Sequence, residues 1–189
     1  MRTHPCWPVL FLLALIGCIQ DGTAPDTTAI TNPAPELTVA VKAPQFKVEL
    51  RDGQMMIAGT RFRFPTTLLE LSKIVGQPTR TLSLANVVYV WDHLGIVGYR
   101  PQNQNEINSL DFTFVNEGFE FSPTTNFAGT FTVRGAEIDK NATPDELGVA
   151  GFASDDTLPF LYTLDFPPHS VIAEIDGSIT GVSISQYRK

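Results

Sequence analysis

Cysteine is nearly missing from this chain, and its placement excludes whole classes of chemistry. Of 189 residues only Cys6 and Cys18 are cysteine, and both fall near the start. Beyond them no internal disulfide, cysteine-ligated zinc site or thiol nucleophile can form. Positive charge is also scarce: 13 Lys and Arg stand against 20 Asp and Glu, a net charge of −7. That sign opposes the phosphate backbone that supplies most nucleic-acid affinity, so the reading is no nucleic-acid partner. Long apolar runs are missing too, since Val9–Ile16 is far short of the roughly 20 residues a membrane-spanning helix needs. No G-x-S-x-G elbow, Walker loop, H-E-x-x-H pair or dinucleotide fingerprint occurs. No catalytic residue, metal ligand or cofactor is therefore assigned.

What is present begins with MRTHPCWPVLFLLALIGC, one early cation, an apolar run and a small residue before cysteine, the layout of a secretory signal. Leu15-Ile16-Gly17-Cys18 resembles a bacterial lipobox. The resemblance implies removal of residues 1–17 and acylation of Cys18, making a lipoprotein of the cell envelope anchored in the membrane. A single acyl chain holds only reversibly and several hold firmly. Ile19 and Gln20 follow the cysteine with no aspartate directly after it, which by the same resemblance implies the outer membrane of a double-membraned host. An ordinary signal peptide with a chance cysteine is the plainer alternative. Residues 18–44 are rich in Thr, Ala and Pro without a hydrophobic period, and read as a flexible tether. As a coil it would span roughly 30 Å.

Residues 45–189 have the length of one globular domain. Strand patterns dominate it. Phe46, Val48 and Leu50 alternate with Lys47, Glu49 and Arg51, and Asp52-Gly53 supplies a hairpin turn. Arg61-Phe62-Arg63-Phe64 reads as an edge strand with its rings inward. Helix starts occur twice, as capping boxes at Thr67/Glu70 and Thr143/Glu146, and Gly76 with Pro78 stops the first helix. Thr67-x-x-Glu70-Leu71 matches Thr143-x-x-Glu146-Leu147, and Tyr89-Val90-Trp91-Asp92 matches Tyr162-Thr163-Leu164-Asp165. The expectation is an α+β fold of two tandem copies, about 46–115 and 130–187, each a helix packed on a small antiparallel sheet.

The run VVYVWDHLGIVGY, residues 87–99, sets Asp92 beside His93 between two strand-forming segments. Aspartate at the first position and Gly95 at the fourth are the preferences of a type I turn. Neighbouring side chains at a hairpin tip point apart, so adjacency makes no acid–base dyad. The expected roles are a turn acceptor for Asp92 and a solvated tip for His93.

Ile74-Val75-Gly76-Gln77-Pro78 followed by Tyr89-Val90-Trp91-Asp92-His93-Leu94-Gly95-Ile96 resembles an uncharacterised bacterial domain family with the pattern LGxP…YxWDxLGI. Val75 departs from its leucine. That family carries no activity to transfer. The doubled plan is also similar, in topology only, to the β-lactamase-inhibitor-like folds, which implies protein binding and no particular residues.

Among the remaining candidates, His169 sits after Pro167-Pro168 without a ligand partner nearby and reads as a solvated loop residue. Asp139–Thr143 lacks the glycine and closing glutamate of a calcium loop and reads as a helix entry. Phe119, Phe121 and Phe127 stand in the segment joining the copies, where they are expected to plug a seam between sheets. Exposed, they would mark a partner site, because each ring left in water forgoes about 1.5–3 kcal/mol. With Trp91 and His93 they are the candidate partner-binding residues. The expected function is protein–protein binding at the envelope, as an assembly, inhibitory or protective factor. Capture of a small ligand or glycan is the alternative, and a hydrolase assembled only in three dimensions the third.

Overall fold

A computed structural model describes residues 46–186. Cys18, the signal segment 1–17 and the tether 18–44 lie outside the described residues. The alternation at residues 46–51 becomes strand β1 (Lys47–Arg51), with Val48 and Leu50 buried. Asp52 and Gly53 both take positive φ, 53° and 70°, and turn the chain into β2 (Gln54–Ile57). The left-handed geometry matches the twist of the hairpin's strands. β3 (Thr60–Phe62) follows as an edge strand, with Phe62 buried, and Phe64 just beyond it is buried too.

Helix α1 (Leu68–Val75) starts on the Thr67 capping box: the Glu70 amide donates to Thr67 Oγ1 at 3.2 Å and the Thr67 amide to Glu70 Oε2 at 3.3 Å. Four strands follow, β4 (Arg80–Ser83), β5 (Asn86–Trp91), β6 (Ile96–Pro101) and β7 (Ser109–Thr113). The second half runs through β8 (Thr130–Val133), β9 (Ala136–Ile138), α2 (Pro144–Ala150, capped by Thr143), β10 (Ala153–Ser154), β11 (Leu161–Phe166), β12 (His169–Asp176) and β13 (Ser178–Gln186).

These strands make two sheets. The small one has the order β3-β2-β1-β8-β9, and the large one β10-β11-β12-β13-β7-β6-β5-β4. Each contains strands from both halves: β1 lies parallel to β8, and β7 antiparallel to β13. Their inner faces share one core, in which Phe112 of the large sheet meets Phe131 of the small one at 5.2 Å between ring centres. Each helix carries the chain from the small sheet to an outer edge of the large one, adding only Leu71 and Val75, or Leu147 and Ala150, to the buried set.

The expected α+β fold of two separate helix-on-sheet copies is therefore incorrect, and the likeness to the β-lactamase-inhibitor-like topology goes with it. The protein is mostly β, a sandwich of a five-stranded and an eight-stranded sheet with two short helices. Local signals located strands and helices, but the partner of a strand is a long-range choice. Pairing β1 with β8 and β7 with β13 builds both sheets from both halves, in place of one small sheet per copy. Helices of eight and seven residues are also too short to cover a sheet.

Strand β5 is buried along nearly its whole length, because both of its faces are covered. Val87, Tyr89 and Trp91 face the sandwich core, while Val88 and Val90 form with Val97 a second apolar cluster on the outer face of the large sheet. An apolar patch of that kind needs a cover. The linker between β7 and β8 supplies it by laying Phe121 over the patch and against Tyr99.

Candidate functional site

The linker is held down by the turn that follows β5. Asp92 is nearly buried; its carboxylate accepts from Arg80 Nε at 3.1 Å, from Arg80 Nη2 at 3.4 Å and from the Thr124 amide at 2.8 Å. Arg80 also donates to the carbonyls of Glu120, at 2.8 Å, and Ser122, at 2.7 Å. The Thr125 hydroxyl closes the set by donating to the Asp92 carbonyl. Burial alone would raise the Asp92 pKa, but the guanidinium and the Thr124 amide outweigh it and hold the carboxyl below its ordinary range. Asp92 thus bridges a hairpin end to a segment some thirty residues later.

Its neighbours in sequence support the same junction. Trp91 is 0 % exposed and donates its indole N–H to the Gly76 carbonyl at 2.8 Å, tying β5 to the end of α1. Gly95 has φ +69°, and a Cβ there would lie 2.2 Å from the Phe127 amide nitrogen. The linker passes so close that only glycine fits.

Beside the clamped linker, the outer face of the large sheet opens into a cleft of about 280 Å³. Strand alternation places its floor: Leu110 and Phe112 point into the core, so Asp111 points out, between Val97 of β6 and Ser183 of β13. The Ser183 hydroxyl donates to Asp111 Oδ1 at 2.6 Å, and the Tyr99 hydroxyl lies against the same carboxylate. Glu174 and Glu117 stand exposed at the rim, and Phe119 with Phe121 forms one wall. Burial pushes the Asp111 carboxyl above its usual range, and the charge of Glu174 pushes the same way. Glu174 is raised by partial desolvation and by the neighbouring charges of Glu117 and Asp176. The Tyr99 hydroxyl is raised by burial and by Asp111. Among the described residues no lysine or arginine lines this cleft. The ion pairs among the described residues lie elsewhere, at Lys47–Glu49, Arg51–Asp52 and Arg80–Asp92.

The five candidate partner-binding residues separate cleanly. Trp91 and Phe127, the latter 7 % exposed, are core residues and out of a partner's reach; Phe127 fills the seam against Phe46, Phe112 and Phe114. His93 is exposed at the turn, away from the residues lining the cleft. Phe119, 55 % exposed, and Phe121 stack at 5.5 Å with 11° between ring planes, outside the seam expected for them. His169 is not solvated but 1 % exposed at the start of β12, with Phe64 at 5.8 Å and no partner for Nδ1. Asp139–Thr143 is a helix entry, in which the Asn141 amide donates to Asp139 Oδ1 at 2.7 Å and Thr143 caps α2. Asp111, Tyr99, Glu174 and Ser183 carried no sequence signal beyond strand alternation, which marks Asp111 as outward-facing and is silent on the linker beside it.

The family described as Domain of unknown function (DUF7738) matches residues 47–148. The chain belongs to it. No curated protein and no solved structure matches the chain. The DUF7738 span contains the Arg80–Asp92 clamp, the linker and Asp111, and ends within α2. Glu174 and Ser183, on β12 and β13, come from the chain beyond it.

Proposed function

We propose that this protein is a bacterial envelope lipoprotein, anchored through lipidated Cys18, whose domain binds another envelope protein through the Phe119–Phe121 surface. In a double-membraned host the anchor directs it to the outer membrane. Residues 74–78 and 89–96 act in this reading as a family signature with a structural task, fastening the linker that presents the two rings. One observation carries the proposal: Phe119, 55 % exposed, stacks on the half-buried Phe121 on a segment that four hydrogen bonds tie to Arg80 and Asp92. A loose loop would fold such a ring inward, gaining about 1.5–3 kcal/mol. A rigid, exposed aromatic beside a cleft has the character of an interface anchor.

Capture of a small ligand draws on the same cleft, but about 280 Å³ with an open mouth encloses little of one. Among the described residues no helix is long and apolar enough to cross a membrane, so the proposed attachment rests on the lipid.

The test is photo-crosslinking in living cells. A crosslinker at position 119 should trap one defined envelope protein, and one at Val149, 84 % exposed on α2, should not. Phe121→Ser and Cys18→Ala should each abolish the adduct. Equal capture from both positions, or none from position 119, would refute the proposal.

A further inference from the structure

The outer-face cleft has two chemistries side by side. Its wall is aromatic, with Phe119 and Phe121 stacked at the mouth. Its floor and rim are anionic, with Asp111 between strands and Glu117 and Glu174 above it. Two of the three carboxylates have partners too weak to balance their charge. Asp111 accepts one serine hydroxyl at 2.6 Å and lies against a tyrosine, both neutral groups, while Glu174 is pressed by the like charges of Glu117 and Asp176. Elsewhere the protein answers such a charge internally, as Arg80 does for Asp92. Here none of the described residues lining the cleft does so.

We infer that this cleft receives an arginine side chain from the protein partner, its guanidinium passing between the phenylalanine pair and the carboxylates of Asp111, Glu117 and Glu174. The inference rests on the protein-binding reading above and specifies the partner's chemistry. Charge complementarity demands a cation, and the geometry selects which one. A guanidinium is planar, stacks on aromatic faces and is more weakly hydrated than an ammonium, so it gives up less on entering a partly dry cleft. Its forked donors can engage two carboxylates at once, which a compact ammonium does less well. A neutral apolar group would leave Asp111 desolvated without a counter-charge. An anionic one would be repelled by a chain whose net charge is −7.

The experiment uses the full-length chain in detergent, isotope-labelled for NMR, titrated with three blocked tripeptides: glycine-arginine-glycine, glycine-lysine-glycine and glycine-citrulline-glycine. Citrulline keeps the shape of arginine and removes its charge. The expected result is saturable shifts at the amides of Val97, Asp111, Phe119 and Glu174 with the arginine peptide. Lysine should bind more weakly and citrulline about tenfold more weakly or worse. Glu174→Gln and Asp111→Asn should each weaken the arginine peptide by about tenfold, with unfolding temperatures no lower than that of the unaltered chain. The Glu174 side chain makes no hydrogen bond among those described, so its variant separates lost binding from lost folding. No shifts in this cleft, equal binding of citrulline or of lysine, or undiminished binding by both variants would overturn the inference. Should it fail while the crosslinker at position 119 still traps its partner, the protein-binding reading stands and only the arginine is wrong.

Discussion

Replacing Asp92 by alanine tests the clamp directly. The change removes the acceptor of the Thr124 amide and of two Arg80 donors, at a residue 8 % exposed. A hydrogen bond to a charged acceptor contributes about 1.5–3 kcal/mol. The ion pair adds about 1 kcal/mol, discounted because the Arg80 side chain is 31 % exposed and solvent screens it. The expected total is about 2–4 kcal/mol, and its location matters more than its size. The clamp fastens the linker rather than the strand ladders, so the loss should appear as local opening. Hydrogen exchange at the Phe119 and Ser122 amides, which bond to Ser122 Oγ and the Phe119 carbonyl, should speed up roughly 30-fold or more. Ladder amides of β1 and β8 should change far less. An Arg80→Ala cycle should give a coupling of about 1 kcal/mol. The penalty also has a pH signature. The Asp92 pKa is depressed, so its stabilisation is full above the ordinary value of 3.8 and is lost as pH falls through the lower folded value. Uniform acceleration across the sheets, or zero coupling with Arg80, would refute the clamp.

Three further outcomes are expected. Gly95→Ala should cost more than about 3 kcal/mol in urea unfolding, since its Cβ would strike the Phe127 backbone at 2.2 Å; Gly59→Ala, at φ +76° with nothing within 4 Å, should cost about 1–2 kcal/mol. Asp111→Asn should raise stability at pH 7 and leave it unchanged below about pH 3.8. A carboxyl raised in the folded state loses stability as pH climbs from the unfolded value through the folded one, and asparagine does not. His169 titrates in the opposite sense: burial and then Arg63 hold its pKa below 6.5, so the protein should lose stability as pH falls below that value. In His169→Leu that slope should flatten; an unaltered slope would show that the acid limb has another source.

Sequence alone determined the local structure, because its causes are local. Val48 and Leu50 alternate at the strand period, Asp52-Gly53 tolerates a left-handed turn, and each threonine three residues before a glutamate caps a helix. That a turn falls at residues 92–95 and that the rings of Phe62 and Phe64 point inward were legible for the same reason. The expected role of Asp92 as acceptor within the turn was not, because the turn closes on the Trp91 carbonyl and the Asp92 carboxylate accepts from Arg80 and Thr124. The sheet partners were not. Nothing in a strand's own residues says that β1 will lie beside β8 or β7 beside β13, so the sandwich belongs to tertiary structure. The same limit hid the candidate site. Asp92 reads as a turn residue, and only folding brings Arg80 and Thr124 to it. Three phenylalanines in one linker read alike, yet Phe127 enters the seam while Phe119 faces water. Asp111 reads as an ordinary outward acid until Ser183, seventy-two residues away, and a clamped linker make it the floor of a cleft. Periodicity records which way a side chain points; only the packed chain decides what it meets.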